Sequence, residues 1–189
     1  SLDKVSLNYD DSLSDTRAVA ELNEATFKNL FLDITNGTYK STDGVLNNSV
    51  IDFAYRLTAA NEAALEKMGD STVENSFSLY LDKISLANNK VKYDNLSEPK
   101  LKGVLDYNHL NITGLGIAGT GIVIDSGFIK GNINGGQLID SNGFVLNELK
   151  GNIIYDDKQL RLDNFLLKTP HTFIENTSVL NYTSQDDLS

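Results

Sequence analysis

The stretch Ile51-Asp52-Phe53-Ala54-Tyr55-Arg56-Leu57 decides the fold. Large apolar side chains occupy every second position, with Asp52, Ala54 and Arg56 between them. Successive side chains of an extended chain point to opposite faces, so this is a strand with one apolar and one polar face. The same period recurs outward. Phe77, Leu79 and Leu81 alternate with Ser78, Tyr80 and Asp82, and Val91 and Tyr93 with Lys90, Lys92 and Asp94. Leu110/Ile112, Ile122/Ile124, Ile153/Tyr155, Leu160/Leu162 and Phe165/Leu167 follow. Between the runs stand Asn88-Asn89, Asp125-Ser126-Gly127, Asn134-Gly135-Gly136, Ser141-Asn142-Gly143 and Asp156-Asp157-Lys158. These residue types tolerate positive φ and read as hairpin turns. The expectation is an all-β chain of antiparallel strands.

Asn and Asp are frequent inside the runs and fit a strand poorly unless one face is fully solvated. That favours one wide, elongated, curved sheet over a two-sheet sandwich. Two segments depart from the pattern. Residues 14–24 are Ala-rich with Ser14 as a cap, and residues 58–68 are Ala-rich with Gly69 placed to stop a helix. Both are read as short helices.

Leu2-Asp3-Lys4-Val5-Ser6-Leu7 recurs as Leu81-Asp82-Lys83-Ile84-Ser85-Leu86. Phe27-Lys28-Asn29-Leu30 against Tyr107-Asn108-His109-Leu110, and residues 57–62 against 137–142, continue the match in the same order. The expectation is a unit of about 80 residues that stacks on its neighbours. The first would be residues 1–80, and residues 81–189 the second with the start of a third. Both ends read as cut points of a longer chain.

The 189 residues carry 16 basic against 26 acidic side chains, a net charge of −10. A chain this acidic, with no basic stripe, is a poor partner for nucleic acid or an anionic membrane surface. There is no cysteine, so no disulfide framework or thiolate metal site, and no apolar run long enough for a membrane helix. Gly114-Leu115-Gly116-Ile117-Ala118-Gly119 has dinucleotide-loop spacing, but a glycine and then a strand pattern follow where a helix is needed. It reads as a glycine-rich bend. Asp10-Asp11 and Asp156-Asp157 are adjacent and point apart, unlike an opposed acid/base pair. His109 and His171 have no second ligand or nucleophile in their patterns. Asp11-Ser12-Leu13 and Asp70-Ser71-Thr72 fit a short bacterial O-glycosylation motif, though each also fits an ordinary turn. No nucleophile, base and orienter can be assembled, so no enzyme, cofactor or metal is expected.

Residues 81–86, Leu105-Asp106-Tyr107-Asn108-His109-Leu110-Asn111-Ile112, Asn142-Gly143-Phe144-Val145-Leu146 and Leu160 to Ile174 together resemble the AsmA-like/TamB family of Gram-negative envelope proteins. The resemblance covers residues 77–182 and weakens over 1–76. It implies a long sheet curled into an open, taco-like groove, apolar inside and polar outside. It also implies a periplasmic segment of an inner-membrane-anchored protein. Its partners would be phospholipid acyl chains, moved towards the outer membrane, and an outer-membrane barrel protein reached through the parent chain. No catalytic residue is carried over. A single sheet fits the same expectation, because it leaves its apolar face uncovered and acyl chains would fill it. Leu110, Ile112, Ile122, Ile124, Ile153, Tyr155, Leu160 and Leu162 are expected on that inner face. The competing expectation is a structural or adhesive β repeat with a dry core and no lipid.

Overall fold

The computed structural model describes residues 1–13, 15–33, 35–57, 77–101 and 106–181. Among these the chain is all-β. The strands are β1 (Leu2–Asp11), β2 (Thr16–Lys28), β3 (Phe31–Asp33), β4 (Thr38–Ser41), β5 (Asp43–Asn47), β6 (Val50–Tyr55) and β7 (Ser78–Asn95). Then come β8 (His109–Asp125), β9 (Phe128–Asp140), β10 (Val145–Leu146), β11 (Glu148–Tyr155), β12 (Gln159–Lys168) and β13 (Phe173–Asn181). All 13 join one sheet, whose main path runs β1-β2-β5-β7-β8-β9-β11-β12-β13. At roughly 4.8 Å between strands, nine strands span roughly 40 Å.

The sheet is mixed, which corrects the antiparallel expectation. β4, β5 and β6 lie end to end and pair in parallel with successive parts of the 18-residue β7. From β7 onward neighbours are antiparallel. Alternation reports faces, not strand direction, so it could not distinguish the two.

The helix expected over 14–24 is also corrected: Thr16–Lys28 is a strand. Its small residues are placed by partners. Ala18 and Ala20 lie opposite Tyr9 and Leu7 of β1 and Phe53 and Ile51 of β6. Pairing on both edges overrides the modest helix preference of alanine. The helix expected over 58–68 lies outside the described residues.

The turns at Asp125-Ser126-Gly127, Ser141-Asn142-Gly143 and Asp156-Asp157-Lys158 fall between strands. Asn88-Asn89 and Asn134-Gly135-Gly136 instead lie inside β7 and β9, at breaks of register. Asn88 has φ 54°, a left-handed value that serves a bulge as well as a turn. The glycine-rich 114–119 run lies inside β8, with a register shift at Gly114 (φ 61°).

The expected boundary between residues 80 and 81 falls inside β7, and the sheet runs through it. Leu2–Leu7 opens the edge strand β1, and its repeat lies within β7. Each pairs antiparallel with the next long strand on the path. Phe27 lies near the end of β2, whereas Tyr107 precedes β8, so the second match joins opposite strand ends.

Candidate functional site: an open apolar face

Residues paired across a ladder share a face. One row crosses the sheet as Tyr9, Ala18, Phe53, Tyr93 and Leu110, and the next as Leu7, Ala20, Ile51, Val91 and Ile112. Further along lies Leu2, Ala25, Leu46, Leu86, Ile117 and Gly136. Then come Phe27, Gly44, Ile84, Gly119, Ile133 and Gly151. Leu81 pairs with Ile122, and Gly131 leads on to Ile153 and Leu162. The last row is Tyr39, Leu79, Ile124, Ile129, Tyr155, Leu160 and Leu180.

These rows belong to one face. β9 keeps regular alternation through Gly136, Leu138 and Asp140, which pair with Ile117, Leu146 and Ile112. A Cβ on Gly119 would meet Ile122 Cδ1 at 3.3 Å and Ile84 Cγ2 at 3.4 Å, so Ile122 stands on the side of Ile84. Without the bulges, the alternation of β7 and β8 would have turned half of these residues to the other side. All eight residues expected on the inner face lie on this one, and each is half-buried.

Nothing among the described residues is packed on top of this face. Among the described residues only Ala25 (1% exposed) and Leu81 (8%) are buried apolar residues. Side chains are covered by same-face neighbours instead. Leu149 leans over Gly136, Phe165 over Gly151, and the Phe27 ring over Gly44. Near one set of strand ends, Phe53, Tyr55 and Tyr93 form an aromatic cluster with centroids 5.8 to 6.2 Å apart. The Tyr93 hydroxyl donates to that of Tyr55 (3.2 Å), and the shared proton and burial raise the Tyr93 pKa.

The opposite face carries the charge. Asp52 lies between Arg17 (3.6 Å) and Lys92 (3.7 Å), and Lys92 also holds Asp94 (2.8 Å). Burial pushes the Asp94 carboxyl up, but Lys92 and Lys100 outweigh it and hold it below its usual value. Arg161 pairs with Asp163, Lys150 with Glu148 and Lys28 with Asp43. Ser78 and Tyr80 both donate to Asp125 (2.8 and 2.7 Å), which lowers its pKa.

A polar seam crosses both layers of side chains, and no sequence motif announced it. Asn89, 2% exposed, donates to the Leu46 carbonyl (2.8 Å) and accepts from the Ser49 amide (2.9 Å). Asn88 donates to Asn48 Oδ1 (2.8 Å), and Asn23 to the Asn48 carbonyl (2.6 Å). Lys4, Asn48, Asn88 and Gly114, all at positive φ, stand on or between neighbouring strands along this line. Each bulge frees backbone groups from the ladder, and an asparagine amide supplies both a donor and an acceptor to satisfy them. The available signal was asparagine within otherwise regular strands, which reads equally as a turn.

His109 and Asp106 are buried together, with Nδ1 2.9 Å from Oδ2. Asp106 also accepts from the amides of Leu101 (2.8 Å) and Asn108 (3.1 Å). The pair closes the turn that leads into β8. Asp11 accepts from the Leu13 amide (2.9 Å), giving Asp11-Ser12-Leu13 an ordinary turn geometry. The second such motif, residues 70–72, lies outside the described residues. Among the described residues, no three His, Cys, Asp or Glu side chains are grouped to hold a metal.

The fold and this face define an open, single-layer β-sheet protein. No family model, curated protein or solved structure matches the chain.

Proposed function

We propose that this chain is a lipid-conduit segment of an AsmA/TamB-like periplasmic protein. It holds phospholipid acyl chains in an apolar groove on their way from the inner to the outer membrane, and so serves outer-membrane biogenesis. The observation that carries this reading is the apolar face, continuous from β1 to β13 and covered by no second layer among the described residues. An uncovered apolar surface of this extent favours a ligand with long apolar chains, since each buried methylene contributes about 0.8 kcal/mol. Bulges bend strands, and a line of them across neighbouring strands favours curling towards a groove. The resemblance noted over residues 77–182 supports the same role. The competing structural or adhesive module needs a dry, packed core, and the two buried apolar side chains among the described residues do not make one.

The test places a photocrosslinking amino acid at Ile122, Ile153 or Leu162, and at Lys130, Asn152 or Ile154 on the other face. Phospholipid crosslinked from the first set and not from the second is the expected result. Crosslinks from the second set overturn the face assignment. No lipid, either crosslinked or co-purified, overturns the conduit reading.

A further inference from the structure

The placement of charge on the two faces says what the groove distinguishes. Every lysine and arginine in β2 through β12 lies on the polar face. Lys130 pairs with Ile154 and Ile154 with Arg161; Lys92 and Arg17 converge on Asp52. The apolar face therefore offers no cation within these strands. Several of its polar groups are engaged with one another or with the backbone. Tyr55 and Tyr93 hydrogen-bond together, Asn89 serves the seam, and Asp140 is buried, accepting from the amides of Asn111 and Asn142. Guanidinium and ammonium are the strong partners of a phosphate, and neither is placed on this face in β2 through β12. The net charge of −10 adds no long-range attraction for an anion.

Resting on the acyl-chain reading above, we infer that the groove selects its occupant by chain and not by headgroup charge. Headgroups stay at the rims, and two-chain lipids with anionic heads gain nothing over zwitterionic ones. The specificity-determining surface is the aliphatic band. Substitutions there change which chains are held, whereas the lysines of the polar face change nothing in lipid choice.

The experiment loads the chain with a mixture of phosphatidylcholine and phosphatidylglycerol carrying identical acyl chains. Protein-bound lipid is counted by mass spectrometry after gel filtration, at about 0.02 M and about 0.5 M salt, where screening differs several-fold. Uptake of the two within about twofold, unchanged by salt, is expected. A preference for the anionic lipid above about fivefold, or uptake lost in high salt, overturns the inference while leaving the acyl-chain reading standing. No uptake of either lipid overturns both. Leu180→Lys is the positive arm, because Leu180 lies on this face in the exposed edge strand β13 and tolerates a lysine without core disruption. It should shift the mixture towards phosphatidylglycerol in a salt-sensitive way. An unshifted mixture would mean that charge on this face does not reach the headgroup, which overturns the argument from its absence.

Discussion

Glycine shows how space is shared on the apolar face. A Cβ at Gly131 would lie 2.5 Å from Ile122 Cδ1, the mobile end of a side chain. At Gly119 it would lie 3.0 Å from the Asn132 carbonyl oxygen, which is fixed in the ladder. The shorter contact is the easier to relieve. Gly119→Ala should therefore destabilise by roughly 1–3 kcal/mol, and Gly131→Ala by less than about 1 kcal/mol, partly offset by alanine's lower chain entropy. Denaturant midpoints of the two variants decide it, and the reverse order would refute the assignment. Asp106 makes the second residue-scale case. The Leu101 amide first, then His109 and the Asn108 amide, hold its carboxyl below the ordinary value of 3.8, against the opposing effect of burial. The folded state thus prefers the ionised form. Its contribution is complete above that ordinary value and is lost as pH falls through the lowered one. Asp94 and Asp125 are lowered too and act in the same direction. Thermal melts from about pH 7 down to about pH 2 should show stability falling below about pH 4. Asp106→Asn should be less stable at neutral pH and show a smaller acid-induced drop. An undiminished drop would remove Asp106 from the account.

At the scale of elements, bulges decide which residues meet. β7 has one extra residue between Leu86 and Asn89, and β8 has one between Leu115 and Ile112, so the register is restored at Val91 opposite Ile112. Deleting Asn88 alone takes from β7 the extra residue that keeps it in step with its neighbours, so residues 89–95 lose their register against β6 and β8 or leave the bulges at Asn48 and Gly114 unmatched. The deletion should abolish a cooperative melt, whereas deleting Asn88 and Gly114 together should recover part of it by matching the two strands again. Circular dichroism melts read both, and a single deletion as stable as the parent would show that the bulges do not hold the register. The same bulges explain where the sequence was legible. Within a run such as 51–57 or 160–162, alternation identifies the face. Across Asn88, Gly114, Gly121 or Asn164 the parity changes, and only the neighbouring strand reveals it. Strand direction was illegible for β4 to β6, and β2 read as a helix because Ala18 and Ala20 acquire their preference from Phe53 and Ile51, residues more than thirty positions away.

At the scale of the molecule, one sheet has to be stable with one side open. A compact domain buries large apolar side chains between layers. Here Leu7, Tyr9, Phe27, Phe53, Ile129 and Leu180 of the apolar face remain at least 36% exposed. The eight residues expected on the inner face could be grouped from alternation because each pair lies within a bulge-free run. That no second layer of described residues covers them follows only from the pairing of all thirteen strands. An open face of this kind gives a native-state signature. Dyes that sense apolar surface normally bind when tertiary packing is lost, as in acid-expanded states. This chain should bind 8-anilinonaphthalene-sulfonate at about pH 7 while its strand signal and cooperative melt are intact. Phospholipid should displace the dye and raise stability by mass action, about 2.7 kcal/mol at a hundredfold excess over the dissociation constant. Leu162→Asp, in the centre of the aliphatic band, should weaken dye binding, whereas Arg161→Asp on the neighbouring polar position should not. Dye binding seen only after the strand signal collapses would mean that the face is closed in solution. The groove, and the lipid reading built on it, would then have to be abandoned.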